Sequence, residues 1–346
     1  MSVPVIDPTG ARDDAAMPAM RRALQPEYMA RRLASHLSSR LQLGAGPGTL
    51  ELRAVRVGRH KPGRRSLVEY ELSHPAPDGG EMHATVLGKL RATGVDRRSF
   101  ETQNALWHHG FGPGNDDRIG VPEPLGVLPD LGMWLQRKVT GVPAMERLTG
   151  PHRCDVAGRI AAAIHKLQRS CVLPKRRHTL IDELAILHQR LPAVAEALPV
   201  AWAARIGRVL QATDRLAASM SRGGPRPSHR DFYADNVIVD DHWLHLVDLD
   251  LYCEADPELD IGNFIAHVTE YSLRTHADPA ALADVEQALE EAFVARAGEA
   301  SRAAVRAYAT LTLVRHIAIS RQIPERRFTT PALIELCEQR LGIATR

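Results

Sequence analysis

The sequence predicts an α+β chain of two lobes. A small antiparallel sheet with one internal helix comes first. A larger, mainly helical lobe follows and carries an embedded β-hairpin. Three observations lead there. Strand-length apolar runs bounded by turn residues fill most of 1–138. Helix-period patterns dominate 139–346. One acidic stretch, 228–264, interrupts those helices with two short apolar runs joined by a tight turn. The chain is 346 residues long, which favours two cores over one.

Residues 1–22 read as a flexible lead-in. Tyr28, Leu33, Leu37 and Leu41 recur at helical spacing over 27–43, after Pro26 at the start, and the glycines of 44–48 break the helix. A first strand runs from Thr49 through Leu50, Leu52, Val55 and Val57. A second, 66–72, holds Leu67, Val68 and Tyr70. A third, 83–90, holds Val86, Leu87 and Lys89. A basic turn, 58–65, joins the first two strands, and turn residues at 75–80 join the second and third. Asp96 or Ser99 can cap a helix over 96–109, with Phe100 and Trp107 on one face. Strands at 124–128 and 133–136 flank Pro129 and Asp130, and 139–143 is a linker. Helices are predicted at 155–168, 180–191, 202–220, 261–273, 279–297, 301–320 and 331–341.

Composition excludes several classes. With 44% hydrophobic and 25% charged residues, the chain is that of an ordinary globular protein. A net charge of +3 does not call for nucleic acid or a membrane surface. The four cysteines are far apart and form no C-x-x-C pair, as expected for free thiols in a reducing cytosol. No apolar segment reads as a signal peptide or a membrane span, so a cytoplasmic protein is expected.

The chemistry is concentrated in 228–264. His229, Arg230, Asp231 and Asn236 spell H-R-D-x-x-x-x-N, the catalytic-loop spacing of kinases, in which the Asp is the base and the Asn a metal ligand. Asn236 opens the run Val237-Ile238-Val239. A turn at Asp240-Asp241 follows, and a second run, 243–247, ends in Asp248. An antiparallel hairpin would bring Asn236 and Asp248 to adjacent strand ends. A lone loop Asp more often caps a turn; the matched Asn236 and Asp248 favour catalysis. His108-His109 is no metal pair, because adjacent helix residues diverge.

The loop, followed by Val247-Asp248-Leu249-Asp250 and by Asp256-Pro257-Glu258-Leu259-Asp260, resembles the aminoglycoside phosphotransferase and choline kinase-like family. The resemblance covers, more weakly, the layout from about Leu50 onward. It implies a bilobal protein-kinase-like fold. Protein kinases share the H-R-D, but here Leu-Asp rather than Phe-Gly follows Asp248, and the early Asp256-Pro257 leaves no room for an activation loop.

The resemblance implies a small-molecule kinase that uses ATP or GTP with Mg²⁺ and a small-molecule hydroxyl acceptor. Asp231 would orient the hydroxyl and accept its proton, and Asn236 and Asp248 would hold the metal. Asp250 either touches metal or substrate or is a solvated strand-end residue. Asp256 fits an N-cap before Pro257. His229 and Asp260 are structural supports of the loop, and His165 is a packed histidine. Lys89, at the end of its strand, is the candidate partner of the α- and β-phosphates, with Glu101 as its acid; the plain alternative is an exposed Lys and a solvated Glu. Arg64, Arg65 and Ser66 follow Gly63 in the basic turn, where they either donate to the triphosphate or form a solvated hairpin. Gln136 and Lys138 mark the hinge that pairs with adenine.

The acceptor is expected in the helical lobe, where Asp182, Glu183, Glu270, Glu286, Glu290 and Glu291 can meet a cation, although helix surfaces carry such residues anyway. Antibiotics such as aminoglycosides and metabolites both remain open as acceptors. The competing reading is a catalytically silent nucleotide-binding scaffold on the same fold, which predicts loss of Asp231, Asn236, Asp248 or Lys89. All four are present.

Overall fold

The structure, a computed structural model, describes residues 3–37, 50–75, 80–220 and 223–344. The end of the first predicted helix, the glycine break at 44–48, the strand start at Thr49 and the centre of the 75–80 turn lie outside these residues. The chain divides into two compact units, Met1–Asn115 with Gly120–Thr140, and Asp116–Ile119 with Gly141–Arg346.

In the first unit the elements run β1 (Val5–Ile6), α1 (Ala19–Ala23), α2 (Pro26–Leu37), β2 (Glu51–Lys61), β3 (Arg65–Pro75), β4 (Glu81–Arg91), α3 (Arg97–Leu106), β6 (Pro124–Leu128) and β7 (Met133–Arg137), while β5 (Ile119–Gly120) falls at the division of the chain. Six of the strands form one sheet in the order β1-β2-β3-β4-β7-β6. All neighbours are antiparallel except β1, which lies parallel on β2. Alternation decides the faces. Val68, Tyr70, Leu72, Val86 and Leu90 are buried together with Met29, Leu33 and Leu37 of α2. Fully buried Tyr70 donates its hydroxyl to the Ala23 carbonyl at 2.9 Å, a tie between sheet and α1 worth about 1 kcal/mol net.

Residues 3–22 are folded rather than loose. Ala11, Met17 and Met20 are buried in the same core, and β1 extends the sheet. Their apolar residues are few and interrupted by Pro, Asp and Gly, so they give only a weak period.

On α3, Asp96 caps the helix by accepting the Ser99 N–H at 3.1 Å. The α-helix ends at Leu106, three residues before the predicted end. Residues Trp107–Phe111 form a wider turn, and Gly110 leaves it at φ 94, a left-handed value that favours glycine. Phe100 of α3 packs edge-on against Trp134 of β7, with ring centroids 6.0 Å apart.

The second unit contains β8 (Val142–Pro143), α4 (Ala144–Leu148), α5 (Arg153–Gln168), α6 (Leu180–Glu196), α7 (Val200–Ser219), β9 (Arg226–Ser228), β10 (Val237–Val239), β11 (Leu244–Leu246), β12 (Cys253–Ala255), α8 (Glu258–His276), α9 (Ala283–Ala297), α10 (Arg302–Gln322) and α11 (Thr330–Arg340). A small sheet has the order β5-β11-β10-β8, and β9 pairs with β12. Helices α8 and α10 are buried around most of their circumference and form the centre of the unit. Their close approach requires Gly262, where an added Cβ would fall 2.6 Å from the Tyr308 Cβ and 2.8 Å from the Val305 carbonyl. No helix among the described residues is long and apolar enough to cross a membrane.

Candidate active site

The predicted loop is clamped from three sides. Asp260, on the first turn of α8, is fully buried. Its two carboxylate oxygens accept the N–H groups of His229 and Arg230, each at 2.7 Å. Burial pushes this carboxyl up, while nearby His229 and the two N–H donors pull it back. The clamp holds Arg230 at φ 70, a left-handed conformation rare outside glycine. Buried His229 donates from Nε2 to the Val247 carbonyl at 2.9 Å. Asn263, one turn along α8 from Asp260, donates to the Phe232 carbonyl at 2.7 Å. Phe232 packs on Phe264 at 5.1 Å. Asp231 is thus the part-exposed residue of a loop whose neighbours are fixed by side chains.

Asn236 closes the loop. It is buried, and its Nδ2 donates to the Asp231 carbonyl at 2.8 Å and approaches the Asp231 Oδ2 at 3.4 Å. The hairpin then forms as its sequence requires. Val237, Ile238 and Val239 pair with Leu246, His245 and Leu244. Asp240 Oδ1 accepts the N–H groups of His242 and Trp243 at 2.8 and 2.6 Å and so makes the turn. The Val247 N–H reaches the Asn236 carbonyl at 3.0 Å. Asp248 is therefore one residue past the position opposite Asn236. It adopts φ 60, ψ 55 and opens a short 3₁₀ turn, Leu249–Leu251, that contains part-buried Asp250.

These residues fit a nucleotide-borne divalent cation. With its Nδ2 committed to Asp231, Asn236 has its amide oxygen left for a hard cation, and Asp248 adds a carboxylate on the neighbouring strand end. Among the described residues no group of three or more His, Cys, Asp or Glu side chains is arranged to hold a metal. Mg²⁺ needs no such cage, because it keeps several waters and takes one or two protein oxygens plus phosphate.

The predicted nucleotide residues all lie in the first unit. Lys89 of β4 sits beside Trp134, its ammonium 4.7 Å from the ring centroid, a cation–π contact. Glu101 is exposed on α3. Gln103 of the same helix points inward, and this buried amide donates to the Pro122 carbonyl at 2.8 Å and to Gln136 Oε1 at 3.2 Å. The Gln136 side chain is accordingly interior. Lys138 gives its backbone N–H to Thr85 at 2.8 Å and its ammonium to Glu69 at 2.8 Å. In the basic turn Arg64 is exposed and Arg65 half-buried, while buried Ser66 donates to the Arg59 carbonyl at 3.2 Å. The Gly63 N–H is bonded to Asp14 at 2.7 Å, and His60 lies 3.2 Å from the same carboxylate. That N–H holds the Asp14 carboxyl below the usual range. Asp14 was missed because its partners lie about fifty residues away.

A cavity of about 510 Å³ opens beside Asp231 within the second unit. Loop residues Arg230 and Tyr233 line it together with His267, Glu270 and Arg274 of α8 and Arg315 and His316 of α10. Of the six acids expected to meet an acceptor, only Glu270 lines this cavity. Asp182 caps its own helix through Thr179. Glu183 is buried between His178 at 2.6 Å and Arg315 at 3.1 Å, which hold its carboxyl low against the effect of burial. Glu286, Glu290 and Glu291 line a separate recess with Arg302, Arg306 and Arg340.

Comparison with known proteins agrees with this layout. The profile of the phosphotransferase enzyme family (APH) matches residues 89–308. A search of curated proteins found no match. Among solved structures, a choline/ethanolamine kinase family protein from Mesorhizobium loti is 16% identical with a TM-score of 0.56, covering 90% of this chain and 95% of that one. A thermostable mutant of aminoglycoside phosphotransferase APH(4)-Ia, in a ternary complex with AMP-PNP and hygromycin B, is 14% identical with a TM-score of 0.55, covering 91% and 99%. Choline kinase LicA from Streptococcus pneumoniae is 11% identical with a TM-score of 0.54, covering 92% and 100%. At these identities the likeness establishes the kinase-like fold.

Proposed function

The chain belongs to the phosphotransferase enzyme family, and from that premise we propose that it is a small-molecule kinase that uses ATP or GTP with Mg²⁺. One observation carries the reading. Asp231 lines a cavity of metabolite size, on a loop clamped by Asp260 and closed by Asn236. Phosphoryl transfer asks the protein mainly to position and to stabilise charge. In the proposed step the acceptor oxygen forms a bond to the γ-phosphorus, and the bond from that phosphorus to the β,γ-bridging oxygen breaks. The nucleoside diphosphate leaves with the electron pair, and the hydroxyl proton passes to the Asp231 carboxylate.

Asn236 and Asp248 would hold Mg²⁺ through oxygen. When bound, it supplies positive charge to the β- and γ-phosphate oxygens. Lys89, placed at the Trp134 ring, is the proposed donor to the α- and β-phosphates. His229 and Asp260 position Asp231 without touching substrate.

A release assay for ADP or GDP over aminoglycosides, macrolides, amino alcohols, sugars and hydroxy acids tests the reading. Wild type is expected to turn over at least one class, and Asp231→Ala to lose about 10²-fold or more of that rate. Equal, zero turnover in both proteins across the panel would instead identify a silent nucleotide-binding scaffold.

A further inference from the structure

The charge of the cavity beside Asp231 is opposite to what a polycationic acceptor needs. Among the described residues, five arginines line it against three carboxylates, those of Asp231, Asp235 and Glu270, and Glu183 behind the lining pairs with Arg315 at 3.1 Å. The arginines converge from separate places: Arg190 in the second half of α6, Arg230 in the loop, Arg274 on α8, Arg315 on α10, and Arg326 in the turn Pro324–Thr329. The acid deepest in the lining is already covered. Glu270 is 3% exposed, with Arg274 at 2.9 Å and Arg326 at 3.8 Å. Arg190, by contrast, has no hydrogen bond or ion pair among the described residues.

A second observation also points to a missing ligand. His316 is 1% exposed and lines the same cavity, and its Nε2 has no hydrogen-bond partner. Buried polar atoms rarely remain unpaired in native proteins. Like charges gathered around a cavity raise its energy until an anion enters, and the guanidinium fork matches carboxylate and phosphate oxygens bidentately.

Building on the phosphotransfer reading, we infer that the acceptor is an anionic hydroxyl compound, whose carboxylate or phosphate is held by Arg190 and Arg326 while its hydroxyl meets Asp231. The bond changes are those given above, with the anionic group a spectator.

Binding separates this inference from the enzymatic reading. Gluconate and glycerol 3-phosphate, their neutral parents glucose and glycerol, and the cation choline are titrated calorimetrically into the full chain with ADP and Mg²⁺ present. An anionic member is expected to bind at least about tenfold tighter than its parent, and whether gluconate or glycerol 3-phosphate does so distinguishes carboxylate from phosphate. Arg190→Gln and Arg326→Gln should each weaken that anion about 10-fold or more, with Arg190→Lys retaining part of the affinity. Arg190 is exposed and unpaired, so its loss leaves the fold intact. Equal or tighter binding of glucose, glycerol or choline, or anion affinity unchanged in both Gln variants, overturns the inference. Anion binding without Asp231-dependent ADP release sinks the phosphotransfer reading and leaves the anion site standing. ADP release with neutral or cationic acceptors alone does the reverse.

Discussion

Asp260→Asn is the sharpest test of how the loop is held. The wild-type carboxylate is fully buried and accepts two backbone N–H groups at 2.7 Å. An asparagine offers one oxygen, so one of those bonds is lost, and its NH₂ then faces an N–H with no acceptor. A charge-assisted hydrogen bond contributes about 1.5–3 kcal/mol, and an unpaired buried donor costs a similar amount. Arg230 at φ 70 adds strain of about 1–3 kcal/mol that the clamp now offsets. The loop should therefore relax, with about 3 kcal/mol lost from its native arrangement. In urea unfolding this appears as a lower midpoint with an unchanged slope. In turnover it appears as a fall in kcat of at least about tenfold, with the KM for nucleotide little altered. Stability within about 0.5 kcal/mol of wild type together with kcat within about twofold would refute the claim that Asp260 positions Asp231.

Two further predictions concern the helical unit. Gly262→Ala places a methyl 2.6 Å from the Tyr308 Cβ, so α8 and α10 must separate; a loss of about 3 kcal/mol is expected in thermal or urea unfolding. His316 is a pH-dependent element. Burial lowers its value to about 3 in the folded chain, from 6.5, so the unfolded chain takes up the proton first. Stability should then fall as pH drops from about 6.5 towards about 3, by up to about 1.4 kcal/mol per pH unit. His316→Asn should flatten that slope when unfolding is compared at pH 7 and pH 5, whatever its effect on stability at neutral pH. Neighbouring His267, also held well below its ordinary value by burial, contributes in the same direction.

What could be read from the sequence alone was local. The H-R-D-x-x-x-x-N loop, the Val237–Val239 strand and the acidic turn at Asp240 occupy one contiguous stretch, and most of their hydrogen bonds close within about fifteen residues of one another. The sheet strands of the first unit were equally accessible, because antiparallel neighbours follow in sequence and alternate in polarity. Tertiary packing decided the rest. The burial of the Gln136 side chain, for instance, depends on Gln103, thirty-three residues away, which pairs with it inside the lobe. Ala11, Met17 and Met20 lie in a stretch broken by Pro and Asp, yet they complete the core under β2 to β4. The electrostatic sign of the cavity is the clearest case. A net charge of +3 over the chain says nothing about it. Five arginines between positions 190 and 326 meet only when α6, α8 and α10 pack, while the acids near them in sequence are turned into salt bridges or onto other faces. Chemistry held by adjacent residues is written in their order, whereas a cavity's charge depends on which helix faces converge.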